Sequence, residues 1–121
     1  MQPLPLPKSI LLRKPWEYRA VYGNGRRIRG NHLTIIYAPN GTDQNRLGIS
    51  IHGIKKAVTR NRIKRIIREF FRSNRSFISP SSDIVFAVRN GFNVDSPLMI
   101  KKMIGHMVRS TSTKQSRTES L

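Results

Sequence analysis

Two stretches of the chain repeat apolar residues at the spacing of a helix face. Between Ala57 and about Arg72, Ile63, Ile66, Ile67, Phe70 and Phe71 fall at i, i+3, i+4, i+7 and i+8. That spacing makes one continuous apolar stripe. Ile100, Met103, Ile104, Met107 and Val108 repeat it, behind Ser96 as a cap and Pro97 in the first turn. A third helix is predicted from Pro15 through Trp16, Tyr18, Val21 and Tyr22, ended by Gly23 and Gly25. Other segments follow the two-residue period of strands. Leu33 to Ala38 is rich in β-branched residues. From Arg46 to His52, Leu47, Ile49 and Ile51 alternate with Gly48, Ser50 and His52. From Asp83 to Arg89 the residues Ile84, Val85, Phe86, Ala87 and Val88 are nearly all apolar, which predicts a strand in the middle of a sheet. Arg26 to Arg29 alternates weakly and reads as a short edge strand. The loop Pro39 to Asn45 suggests an antiparallel hairpin between the strands on either side of it. The predicted class is α+β: an α/β sandwich with helices packed on a small sheet. The strand–helix–strand step from 46 to 89 implies a crossover.

At 121 residues the chain fits one domain. Residues 1–9 alternate proline with apolar residues and read as an extended lead-in, 10–109 as the domain, and 110–121 as a disordered tail of Ser, Thr, Lys, Gln and Arg. The absence of cysteine excludes a disulfide framework, a thiolate zinc site and a cysteine nucleophile. No run approaches the ~18 apolar residues of a membrane span, and the start lacks the pattern of a signal peptide. The expectation is a soluble, cytoplasmic protein without a membrane partner.

Charge changes the picture most. Lysine and arginine total 23 against 6 acids, a net charge of +17, which favours a polyanionic partner. The charge is unevenly placed. Residues 31–54 carry only Arg46 and Asp43. Residues 55–72 carry Lys55, Lys56, Arg60, Arg62, Lys64, Arg65, Arg68 and Arg72 against Glu69 alone. At ~100° per residue, Asn61, Arg65, Arg68 and Arg72 form a stripe opposite the apolar face. Arg62 and Lys64 flank it, and Arg60 lies near the apolar boundary with its head free to reach outward. Like charges at these spacings repel, and a polyanion relieves the repulsion. A merely solvated face and a membrane-surface helix are the competing readings. One acid against eight bases disfavours the first, and an apolar face that fits a globular core disfavours the second.

The segment RLGISIHGIKKAVTRNRIKRIIREFFR, from Arg46 to Arg72, closely resembles the protein component of bacterial ribonuclease P. The resemblance rests on Ala57-Val58, Arg60-Asn61-Arg62, Lys64-Arg65 and Arg68-Glu69. It extends to Arg46-Leu47-Gly48, to the strand Asp83–Arg89 and to the aromatic first helix, covering about residues 10–109. It differs at His52-Gly53, Ile54 and Lys55-Lys56, where the family has a basic pair, an apolar residue and Gly-Asn. The resemblance implies a four-stranded sheet with a left-handed βαβ crossover. It implies a protein subunit that binds the catalytic RNA and the 5′ leader of precursor tRNA, with Mg2+ held mainly by the RNA and no obligatory protein partner. The RNA-binding candidates are Lys55, Lys56, Arg60, Asn61, Arg62, Lys64, Arg65, Arg68 and Arg72.

The resemblance also assigns Tyr18, Tyr22 and Tyr37 to a leader cleft, where rings stack on any base. Trp16, Phe70 and Phe71 are read as packing. No catalytic residue is expected in the protein, because its acids and its histidines (His32, His52 and His106) form no acid–base or metal constellation. The alternative function is a structural RNA-binding protein of ribosomal type.

Overall fold

The computed structural model describes residues 6–119, with side chains described as far as Val108. The first five residues of the proline-rich lead-in lie outside the described residues. A single 3-10 turn, Lys8–Ile10, precedes helix α1, Pro15–Asn24. Pro15 opens that helix, where its missing N–H costs nothing, and Gly25 caps its end. The remaining elements are β1 (Arg26–Gly30), β2 (Leu33–Pro39), β3 (Arg46–His52), α2 (Ala57–Ser73), β4 (Ser82–Arg89) and α3 (Pro97–Glu119). Ser96 does cap α3, its hydroxyl accepting the Met99 N–H at 3.3 Å. The helix continues to Glu119, through most of the segment for which composition predicts a disordered tail.

The sheet order is β1-β2-β4-β3. β2 runs antiparallel to both β1 and β4, and β3 runs parallel to β4. The hairpin expected between β2 and β3 does not form, because β4 lies between them. The reason is apolarity. β4 buries Ile84, Phe86 and Val88 on one face and Val85 on the other, so it gains most from the centre. β3, apolar on one face only, sits at the edge. β2 makes its hairpin with β1 instead, turning through Asn31-His32 with His32 at φ 60°.

The two sheet faces are covered unequally. One packs against α2 and α3, where Leu33, Ile35, Leu47, Ile67, Phe71, Ile84, Phe86 and Ile100 are all but fully buried. Every residue of the predicted α2 stripe is buried there, and the Phe70 and Phe77 rings meet edge to face at 5.3 Å. Among the described residues the other face carries only α1 and a small core of Leu12, Val21, Ile36 and Val85. No helix is long and apolar enough to cross a membrane among the described residues.

Candidate RNA-binding surface

Arg46 fixes α1 to the sheet. Its guanidinium holds both oxygens of Asp83 at 2.7 Å and reaches Glu17 at 3.0 Å. The same Glu17 carboxylate accepts the backbone N–H groups of Lys14 and Arg13 at 2.9 and 3.0 Å. Those backbone bonds, first Lys14 and then Arg13, hold its pKa below the ordinary value, with Arg46 adding to the effect. Arg46, part of the basic signature in the sequence, is thus engaged within the protein.

Tyr18 is the second anchor. Its hydroxyl accepts the Ile49 N–H at 3.2 Å and donates to the Leu12 carbonyl at 3.3 Å. Burial pushes that hydroxyl above its ordinary pKa. The ring lies on Gly48, where any side chain would meet it: a Cβ there would stand 2.9 Å from the ring. Tyr18 lines a hollow of about 230 Å3 with Leu11, Leu12, Arg13, Leu47, Ile49, Lys64 and Arg68.

Tyr22, one turn further along α1, borders a larger cleft of about 620 Å3 over the open sheet face. Thr34, Ile36, Ala87 and Ser50 form its floor, and Arg27, Arg29, Arg89 and His52 ring it. Arg27 donates to the Tyr22 carbonyl at 3.1 Å, and Ser50 Oγ lies 2.8 Å from His52 Nε2. The charge around this cleft was absent from the candidates drawn from the sequence. Its signal was there: Arg27 and Arg29 are two apart in a strand, hence on one face.

Tyr37 does not join this cleft. It follows Leu33 and Ile35 at the strand period, so it lies on the closed face and packs against the larger core. Ile36 stands on the cleft side instead. Tyr18 and Tyr22 do share one face of α1, against the smaller core. Trp16, read from the sequence as packing, is instead 60% exposed.

On α2, Asn61, Arg65 and Arg68 are exposed together on the predicted stripe, and Arg72 is half-buried at its end. Lys55 and Lys56 are exposed just before the helix, which has no acid in its first turn. Bases at the positive end of a helix dipole favour an anion beside them. Two candidates are already engaged. Arg60 turns back onto the carbonyls of Ile54 and Lys55 and so fixes the loop, rather than reaching outward. Arg62 pairs with Asp95 across to the start of α3, with both side chains mostly exposed. Lys64 leans toward the Tyr18 hollow.

A further hollow of about 440 Å3 lies between the β2–β3 and α2–β4 loops. Its buried Asn45 donates to the carbonyls of Arg75 and Ile78 and accepts the Ser82 N–H, so it holds the two loops together. Among the described residues no three His, Asp or Glu side chains gather to hold a metal ion.

The sequence profile of the ribonuclease P family matches residues 6–112. The chain belongs to the ribonuclease P protein family. It is 54% identical over 103 residues to the ribonuclease P protein component of Desulfotalea psychrophila, spanning 84% of this chain and 86% of that one. Against the component of Syntrophus aciditrophicus it is 43% identical over 90 residues, 74% of this chain and 76% of that one. Its fold is similar to the ribonuclease P protein of Staphylococcus aureus, with a TM-score of 0.72 and 28% identity over 86% of this chain and 96% of that one. The Thermotoga maritima ribonuclease P protein superposes with a TM-score of 0.68 at 27% identity, covering 79% of this chain and 92% of that one. RNA binding in tRNA processing is the function of the ribonuclease P protein subunit, and this chain is such a subunit. Its partner is therefore RNA, within a ribonucleoprotein endoribonuclease.

Proposed function

We propose that the protein uses its two basic surfaces for two different RNAs. The exposed stripe of α2, with Lys55 and Lys56, binds the catalytic RNA. The open cleft binds the single-stranded 5′ leader of precursor tRNA. The observation that carries the second assignment is the meeting of Tyr22 with Arg27, Arg29 and Arg89 over a shallow floor of small and aliphatic side chains, Thr34, Ile36, Ser50 and Ala87. A ring stacks on any base, and guanidinium groups hold phosphates whatever the sequence. Such a site suits a strand whose sequence varies among precursors.

Chemistry follows from this division. The cleavage is RNA-catalysed, and the protein supplies binding and charge neutralisation. Glu17 and Asp83 are bound by Arg46 and Asp95 is paired with Arg62, so these three acids are engaged within the protein. In this reading the Mg2+ used in cleavage is held mainly by the RNA. Cations laid along α2 lower the repulsion between phosphates that Mg2+ would otherwise have to screen. The proposed setting is the cytoplasm, with no obligatory protein partner.

Reconstitution with a bacterial ribonuclease P RNA at low Mg2+ tests the proposal. The protein is expected to raise precursor tRNA cleavage and to favour precursor over mature tRNA in binding. No gain in cleavage overturns the proposal, and equal affinity for the two tRNAs overturns the cleft assignment.

A further inference from the structure

Helix α1 turns Tyr18, Val21 and Tyr22 toward the sheet, and Trp16 away from it. Trp16, Arg19, Ala20 and Gly23 fall at i, i+3, i+4 and i+7 and are all exposed. The indole is 60% exposed and belongs to neither core. Its ring contact is cationic: the Lys14 ammonium lies 5.7 Å from the ring centre. The side chain thus stands outside both buried clusters of the domain.

Its surroundings are one-sided in charge. Arg13, Lys14 and Arg19 are exposed around it. Glu17, the acid in the first turn, is turned away and bound by Arg46 and two backbone N–H groups. Arg13 also lines the Tyr18 hollow together with Lys64 and Arg68 of α2. A row of cations thus runs from α2 across Arg13 to the indole.

We propose that Trp16 is a stacking platform for an unpaired base of the RNA strand that lies along α2, outside the Tyr22 cleft. The proposal rests on the reading of α2 as a surface for the catalytic RNA. The phosphates of such a strand would follow Arg68, Lys64 and Arg13. A base turned out beside Lys14 would then cover the free indole face, removing two flat apolar surfaces from water.

Trp16 is the sole tryptophan of the chain, so the emission of the full-length protein reports on this site alone. The protein is titrated with bacterial ribonuclease P RNA, and retention of labelled RNA on filters follows binding separately. Emission is expected to be quenched, and acrylamide accessibility to fall, over the range in which RNA is retained. Trp16→Ala is expected to weaken retention by roughly 5-fold or more, while Trp16→Tyr restores most of it. Tyr22→Ala leaves the quenching of Trp16 in place.

RNA retained with emission and accessibility unchanged overturns the Trp16 contact and leaves the α2 reading standing. RNA not retained at all overturns both. Quenching by precursor tRNA but not by the catalytic RNA overturns the assignment to the α2 strand. A response to phosphatidylglycerol vesicles in place of RNA overturns the nucleic-acid partner.

Discussion

The two faces of the sheet are built from the same strands and have opposite fates. On one, Leu33, Ile35, Leu47, Ile84, Phe86 and Val88 meet two helices and disappear from solvent, with Tyr37, Ile49 and Ile51 half-buried at the margin. On the other, the alternate positions meet a single helix, and beyond Tyr22 the sheet lies open and ringed with arginine. The closed face is where burial holds the fold together. The open face is where burial was left incomplete, and the uncovered area is the cleft.

The largest effect should come from the closed face. Phe71 is fully buried, and Phe71→Ala is expected to cost about 3–5 kcal/mol in urea unfolding. A loss well below 1 kcal/mol would mean that this face is loosely packed and the contrast between the faces is false.

Tyr22→Ala should lower the urea midpoint far less than Phe71→Ala does, because Tyr22 only borders the smaller core, and weaken precursor tRNA binding by about 1–3 kcal/mol, with mature tRNA spared. Tyr37 supplies the reverse control. Because it sits on the closed face, Tyr37→Ala should lower stability and keep the preference for precursor over mature tRNA. If Tyr37→Ala abolishes that preference instead, the cleft has been drawn on the wrong face.

Arg65→Ala or Arg68→Ala should flatten the salt dependence of binding to the catalytic RNA by about one unit in the log–log slope for each lost phosphate contact. An unchanged slope places that residue off the RNA.

The smallest effect concerns the joint between the faces. Glu17 has a lower pKa folded than unfolded. Its stabilisation is therefore complete above its ordinary value of 4.5 and is lost as pH falls through the lower folded value. Glu17→Gln is expected to lower stability at neutral pH and to flatten the acid limb. An acid limb identical to that of the unsubstituted protein would show that Arg46 does not need this partner.

Local pattern carried much of the fold. The α2 and α3 stripes, the central place of β4 and the edge strand β1 all follow from apolar spacing, because helix and strand periods are set within a few residues. The order of the strands did not follow, since pairing is a competition between strands far apart in sequence, and β4 displaced the local hairpin. The same long-range effect governs the site. The α2 stripe was legible because its residues share one helix. Tyr37 falls on the closed face because its face depends on register, and Arg89 escapes sequence reasoning because its nearness to Tyr22 exists only once β4 lies beside β2. Arg60 and Trp16 exchanged the roles their residue types suggest: the cation is tied to carbonyls within the chain, and the indole is left in water.

The two rims of the sheet are guarded in different ways against pairing with a second copy. At β3, the Leu12 N–H takes the Leu47 carbonyl at 2.8 Å, and the Tyr18 hydroxyl takes the Ile49 N–H. The first half of that rim is thus covered by the chain itself against another strand. At β1 the guard is different: Arg26, Arg27 and Arg29 stand exposed along the rim, and a second copy approaching it would bring the same charges. The cover on the first rim does not depend on salt, whereas the guard on the second is charge repulsion. Polyanions or high salt that neutralise those arginines therefore weaken the guard on β1 and leave the cover on β3 in place, so strand-to-strand aggregation under those conditions should begin at β1.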